Sequence, residues 1–282
     1  MKYGLVLEGG AMRGLFTAGV IDVLMEHDII FDGAVGVSAG ACFGCNYKSG
    51  QNGRTIRYNL RFCKDKRYCS LYSLITTGDM YGAEFCYHTL PDELDIFDIE
   101  AFKENPMTFY VVCTDVETGR PVYKKLNTAE YNDLEWIRAS ASIPLASRIV
   151  EVDGRKLLDG GISDSIPLSF MERHGLERNI VILTQPRDYI KKSSKSLSLV
   201  KTVYKKYPKL VKTYSERPKM YNEQLEYVRK SESEGKALVI APPVTLPIGH
   251  VEHKQEKLLE VYRIGRKTAI ENIDRILEFM GE

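Results

Sequence analysis

Phe31-Asp-Gly-Ala-Val-Gly36-Val37-Ser38-Ala39-Gly40 contains a complete G-x-S-x-G, and its flanks give that pattern a meaning. Ahead of the serine runs a short apolar stretch, Gly33-Ala-Val-Gly-Val37. Behind it, Ala39 to Asn46 is small and apolar enough to enter a helix. Strand, sharp turn and helix is the context in which the pattern forms a nucleophile elbow, with the serine hydroxyl projecting from the end of a sheet. Gly36 and Gly40 leave room where the strand doubles back into the helix. Taken alone, the pattern also suits a Gly-rich turn carrying a solvated serine, so the surrounding stretches have to decide.

On the N-terminal side, Tyr3-Gly-Leu-Val-Leu7 has the length and composition of a strand, and Glu8-Gly9-Gly10-Ala11-Met12-Arg13-Gly14 follows it. Leu15, Ala18, Gly19, Ile21, Leu24 and Met25 then form a helical stripe that ends near His27-Asp28. A strand feeding a Gly-rich turn and a helix builds a nest of backbone N–H groups, which holds an anion. A P-loop phosphate lacks its G-K-[ST] ending here. A dinucleotide pyrophosphate would need glycine where Ala11 stands, and an acid at the end of the next strand. The oxyanion of an acyl-transfer intermediate fits best, with Gly10 and Ala11 as chief donors, Gly9, Arg13 and Gly14 completing the turn, and Ala39 adding a donor. Parallel strands joined by the first helix bring this turn and Ser38 to the same edge of the sheet. Alanine at position 11 enters positive φ less cheaply than glycine. For Arg13, steadying the loop by hydrogen bonds is favoured over reaching a substrate phosphate.

Much later, Leu145–Val152 and Arg155–Leu158 flank Asp153-Gly154, a hairpin signal, and the second arm runs into Asp159-Gly160-Gly161. An aspartate at a strand end beside two glycines presents an exposed carboxylate, although turn aspartates of this kind are often structural.

In order and spacing, Gly9–Gly14, Gly36-Val-Ser38-Ala-Gly40 and Asp159-Gly160-Gly161 resemble the patatin-like phospholipase family, and Ala139-Ser-Ala-Ser-Ile-Pro144 looks like its proline-bearing segment. Ala241-Pro-Pro-Val-Thr-Leu-Pro247 and the segment around Glu260–Arg266 resemble the C-terminal region of bacterial members. The resemblance implies a three-layer α/β/α fold with a mostly parallel central sheet. It also implies a Ser–Asp dyad, Ser38 as nucleophile and Asp159 as general base, acting on lipid esters without a cofactor or metal. None of the five histidines lies in a motif that places it beside Ser38.

The rest of the chain adds bounds. Its 282 residues, 44% hydrophobic and 27% charged with net charge +1, suit one large α/β domain over 1–282 and argue against a nucleic-acid partner. No run approaches the roughly 18–20 apolar residues of a membrane span, and the first strand begins too soon for a signal peptide, so a cytoplasmic location is expected. Six cysteines fit reduced thiols there, and Cys42-x-x-Cys45, inside the helix after Ser38, reads as buried small hydrophobes.

Residues 50–105 form a variable, aromatic segment with Tyr58, Phe62, Tyr68, Tyr72, Tyr81, Phe85 and Tyr87, suited either to walling an acyl pocket or to core packing. Strands are expected at 107–113, 121–126, 179–183 and 237–240, and helices after Asp133 and over 252–280. A basic insertion at 187–233 carries eleven Lys/Arg against Asp188 and Glu216 up to residue 219. It would either contact an anionic membrane or form a solvated helical face.

The leading expectation is a serine lipolytic acyl hydrolase. A general carboxylesterase, an acyltransferase, a non-catalytic binding protein on the same fold, and a Ser–His–Asp hydrolase are the alternatives.

Overall fold

The computed structural model describes residues 1–281. β1 (Tyr3–Leu7) leads through a 3₁₀ turn at Ala11–Arg13 into α1 (Gly14–Glu26), β2 (Gly33–Val37) and α2 (Ala39–Lys48). The aromatic segment folds as α3 (Arg54–Phe62), α4 (Leu71–Thr77) and a π-helical stretch at Phe85–Leu94, before α5 (Ile99–Glu104). The hairpin of β3 (Thr108–Asp115) and β4 (Pro121–Leu126) precedes α6 (Tyr131–Ser140), β5 (Val150–Val152), β6 (Arg155–Asp159) and α7 (Leu168–Arg173). After β7 (Arg178–Ile182) come α8 (Leu197–Val203) and α9 (Pro208–Ser233), then β8 (Ala237–Ile240), α10 (Gln255–Glu271) and α11 (Ile273–Met280).

All eight strands join one sheet. β3, β2, β1, β7 and β8 run parallel in that order, while β4, β5 and β6 pair antiparallel. Side chains alternate between two buried faces, as strands covered on both sides require. Leu5, Leu7, Ile180 and Ile182 pack under α1, α2 and α10, whereas Val6, Val35, Val37 and Val181 pack under α7 and α9. The expected three-layer α/β/α architecture with a mostly parallel sheet is therefore present.

β3 positions the candidate site. Cys113 pairs with Val122 of β4 and with Asp159 of β6, so those two strands occupy opposite edges of β3. Val112 pairs with Tyr123 of β4 and with Val37 of β2. Along one edge, β2 is thus followed end to end by β6, and the residue after Val37 meets the last residue of β6.

Several boundaries differ from the sequence reading. The first hairpin arm is only Val150–Val152, because Leu145 has φ 70° and the chain around it is tied elsewhere. Ala146 O accepts the Met80 N–H, and Arg148 N–H donates to Asp79. α6 begins two residues ahead of Asp133, whose carboxylate gathers the N–H groups of Asn127, Thr128 and Ala129. The C-terminal helix breaks at Asn272 into α10 and α11. α10 lies on α1 at two glycines: a Cβ on Gly19 would strike Tyr262 O, and one on Gly265 would strike Phe16 O. Among the described residues no helix is long and apolar enough to cross a membrane.

Candidate active site

Ser38 sits between β2 and α2 with φ 55° and ψ −122°, a conformation an L-residue holds only when its surroundings enforce it. Enforcement comes from both sides. The Ser38 carbonyl accepts the Ala41 and Cys42 N–H groups at 2.9 and 3.1 Å, opening α2. Its N–H donates to Ser140 Oγ at 2.9 Å, and that hydroxyl donates to Val112 O at 2.6 Å. The two elbow glycines are required by space, since a Cβ on Gly36 would lie 2.5 Å from Ala41 Cα and one on Gly40 would strike Leu7 O.

Asp159 ends β6 and is as buried as Ser38. Its Oδ1 accepts the Gly161 N–H at 2.7 Å, and the Ser38 side chain lies near enough to the carboxylate to favour its charged form. Burial raises its pKa above the ordinary 3.8, opposed by the charge of Arg217, the nearby Ser38 hydroxyl, the Gly161 N–H and the charge of Lys191. A carboxylate destabilised in this way is a better proton acceptor than an exposed one. Gly160 packs so tightly on Val112 O that no side chain would fit.

The Gly9–Gly14 turn stands on the other side of Ser38, and a Cβ on Gly9 would come 2.8 Å from Ser38 Cβ. Ala11 adopts φ 50°, so the turn is intact and the alanine takes the strained conformation itself. The Gly10, Ala11 and Ala39 N–H groups meet no acceptor among the described residues. Arg13 N–H bonds Gly10 O and Gly14 N–H bonds Ala11 O, so these two residues complete the 3₁₀ turn with their own N–H groups. Glu8, buried at the end of β1, fixes the turn from behind. It accepts Thr184 N–H at 2.6 Å and Tyr221 OH at 2.7 Å, and Thr184 Oγ1 donates to Gly9 O at 2.8 Å.

Ser38 lies where two cavities meet, with Ala11 and Ile143 shared by both. One is apolar and runs between α2, α3 and α6, walled by Phe43, Tyr58, Tyr68, Tyr87, Leu134 and Ile137. The aromatic segment therefore does both things the sequence allowed: Tyr58, Tyr68, Tyr81 and Tyr87 line the cavity, Phe62 and Phe85 pack against each other behind it, and Tyr72 is exposed. Cys42 and Cys45 also line it, and burial pushes both thiols up to about 12.

The second cavity is polar and holds Glu8, Arg13, Asp159, Lys191, Arg217 and His250. Lys191, Arg217 and His250 escaped sequence reasoning because they come from a basic run and a loop with no motif. Ser140 was signalled only by membership of the Ala139–Pro144 segment. Among the described residues the Arg13 side chain makes no loop-steadying hydrogen bond, and its buried Nε has no partner. His88, His174 and His253 bond to Glu135, Phe170 O and Cys63 O away from the site, whereas His250 faces the polar cavity with its pKa lowered by burial and by Arg13, Arg217 and Lys191.

Two family models match the chain. A model described as "Domain of unknown function (DUF6363)" matches residues 207–281. "Uncharacterized protein YjjU" of Escherichia coli is 31% identical over 66% of this chain and 52% of its own length. "Lysophospholipase NTE1" of Meyerozyma guilliermondii is 28% identical over 64% of this chain and 12% of its own. The chain thus spans about half the length of the first curated relatives it matches, 52% and 45%. VipD from Legionella pneumophila, at TM-score 0.46 and 13% identity over 97% of this chain and 67% of that one, is a distant likeness that adds no argument. The patatin-like phospholipase model matches residues 5–171, more than half of the sequence and every motif around Ser38 and Asp159, and the chain belongs to that family.

Proposed function

We propose that this protein is a serine acyl hydrolase that cleaves carboxylic esters of phospholipids or lysophospholipids, with Ser38 as nucleophile and Asp159 as general base. The observation that carries the reading is that Ser38 and Asp159 line one polar cavity together, with Ser38 also opening onto an apolar one. The kinship with proteins named lysophospholipases supports the lipid substrate.

In this mechanism the acyl chain enters the aromatic-walled cavity and the alcohol part faces the polar one. Ser38 Oγ attacks the carbonyl carbon as its proton passes to Asp159. The oxyanion is received by the Gly10 and Ala11 N–H groups, with Ala39 alongside, and losing one such donor costs about 3 kcal/mol of transition-state stabilisation. Asp159 returns the proton to the departing alkoxide, then takes one from the water that releases the acyl group. An acceptor alcohol in place of water would make the same residues an acyltransferase.

The 187–219 stretch contributes membrane contact in this reading. Lys192, Lys195, Lys201, Lys205, Lys206, Lys209 and Lys212 are exposed, as are Ile190, Leu199 and Val203 between them, the pairing an anionic lipid surface attracts. The six free thiols suit the reducing cytoplasm. The contact of α10 with α1 supports treating the chain as one unit.

A fluorophosphonate probe tests the chemistry. Labelling is expected to vanish in Ser38→Ala, to fall strongly in Asp159→Asn and to persist in His250→Ala. Loss of labelling in His250→Ala with retention in Asp159→Asn would replace the dyad by a triad. Co-sedimentation with anionic vesicles tests the surface contact, which neutralising the lysines at 201–212 should weaken.

A further inference from the structure

The polar cavity has more positive charge than the dyad chemistry uses. Arg13, Lys191 and Arg217 converge there from the first turn and from the insertion between β7 and β8. Lys191 and Arg217 lie beyond the 5–171 match, and Lys191 lies outside both matches. The buried Nε atoms of Arg13 and Arg217 have no hydrogen-bond partner among the described residues. The Lys191 ammonium rests 4.4 Å from the centre of the Tyr221 ring. Two carboxylates face this cluster. Glu8 is already engaged by Thr184 N–H and Tyr221 OH, and Asp159 by Gly161 N–H. Neither neutralises three cations.

We infer that Lys191 and Arg217, assisted by Arg13, form a phosphate subsite on the alcohol side of Ser38, which selects esters whose alcohol part carries a phosphate oxyanion. This rests on the Ser38–Asp159 reading and names the substrate class that the site takes. Ser38 lines the same cavity as the three cations, so an ester carbonyl at Ser38 puts the phosphate of a glycerol ester among them. Unmade guanidinium donors in a partly buried cavity are expensive unless an anion completes them, and phosphate geometry suits Arg forks. The charge state of Lys191 agrees: burial and the neighbouring Arg217 push its pKa down to about 8, a strain that a bound anion relieves. The insertion thus supplies specificity to a nucleophile built by the first half of the chain.

The test uses the full chain and a matched pair of soluble esters, dihexanoylphosphatidylcholine and dihexanoylglycerol, which share acyl chains and glycerol. The readout is the ratio of their kcat/KM values. Lys191→Met and Arg217→Gln should each lower that ratio about tenfold or more, the worth of a charge-assisted hydrogen bond, and Lys191→Arg should restore much of it. A ratio unchanged in both variants overturns the proposal. Inorganic phosphate separates the two sources of the anion. Phosphorus NMR line broadening lost in the variants together with a fallen ratio supports a head-group subsite, while lost broadening with an unchanged ratio assigns the cluster to free phosphate and overturns it. Failure of the dyad reading is seen separately, as wild-type protein that neither labels with fluorophosphonate nor hydrolyses the neutral ester.

Discussion

Ser140 ties Ser38 to β3: one hydroxyl accepts the Ser38 N–H at 2.9 Å and donates to Val112 O at 2.6 Å. The strained φ of Ser38 is thereby fastened to the strand that also pairs with Asp159. Ser140→Ala leaves two buried backbone groups unpaired, so it should cost about 1–3 kcal/mol of stability. With the elbow loosened, kcat should fall by up to about a hundredfold while KM changes little. Thermal unfolding and steady-state kinetics check the two together; a drop in Tm with kcat intact would leave Ser140 a merely structural residue.

Ala11 holds φ 50° where a glycine would rest without strain. An L-residue in this region costs about 1–2 kcal/mol, and glycine's extra chain entropy returns part of the gain. Ala11→Gly is expected to raise stability by about 0.5–1 kcal/mol with labelling intact. Ala11→Val, β-branched in the same backbone, should slow fluorophosphonate labelling sharply by opening the donor turn. Equal labelling rates in both variants would detach Ala11 from the oxyanion site.

Asp159 links pH to both activity and stability. Its folded pKa lies above 3.8, so the folded protein binds the proton more tightly than the unfolded chain. The resulting cost is absent below 3.8, grows through the window between the unfolded and folded values, and is fully present at neutral pH. Asp159→Asn should therefore melt higher than wild type at pH 7, with the difference closing as pH falls below 3.8, although activity is lost. Arg217 opposes the rise, so Arg217→Gln should move the acid limb of kcat/KM to higher pH; a pH–rate profile with an unmoved limb would contradict this.

The apolar cavity makes a prediction about chain length. Leu134, on α6, is buried and lines the cavity among Tyr58, Tyr87 and Ile137. Leu134→Phe should shorten the cavity and lower kcat/KM for long-chain esters by about tenfold relative to butyryl esters, about the worth of one or two methylenes in a tight pocket. A parallel fall on both would place the acyl chain elsewhere.

Much of this was legible in the sequence because each part announces itself locally. Gly36-x-Ser38-x-Gly40, the Gly9–Gly14 turn and Asp159-Gly160-Gly161 each need specific backbone freedom at fixed offsets, and short apolar runs mark the strands between them. What escaped is what tertiary contact alone brings together. Lys191 and Arg217 are two cations among eleven in a run whose other members are mostly exposed, and nothing in their spacing says which two turn inward. Leu145–Ile149 reads as strand because it leads into Val150–Val152 and the Asp153-Gly154 turn, yet its backbone is held by Met80 and Asp79 from a distant segment.

The end-to-end lodging of β2 and β6 on one edge of β3 makes that strand a ruler. The gap between Ser38 and Asp159 is set by the adjacency of Val112 and Cys113, and the length of chain that connects the two residues does not enter it. Residues 116–120 and 127–130 lie outside that pairing. One residue inserted between Val112 and Cys113 would slide β6 by a register step, turn every side chain beyond it to the opposite face, and part the pair.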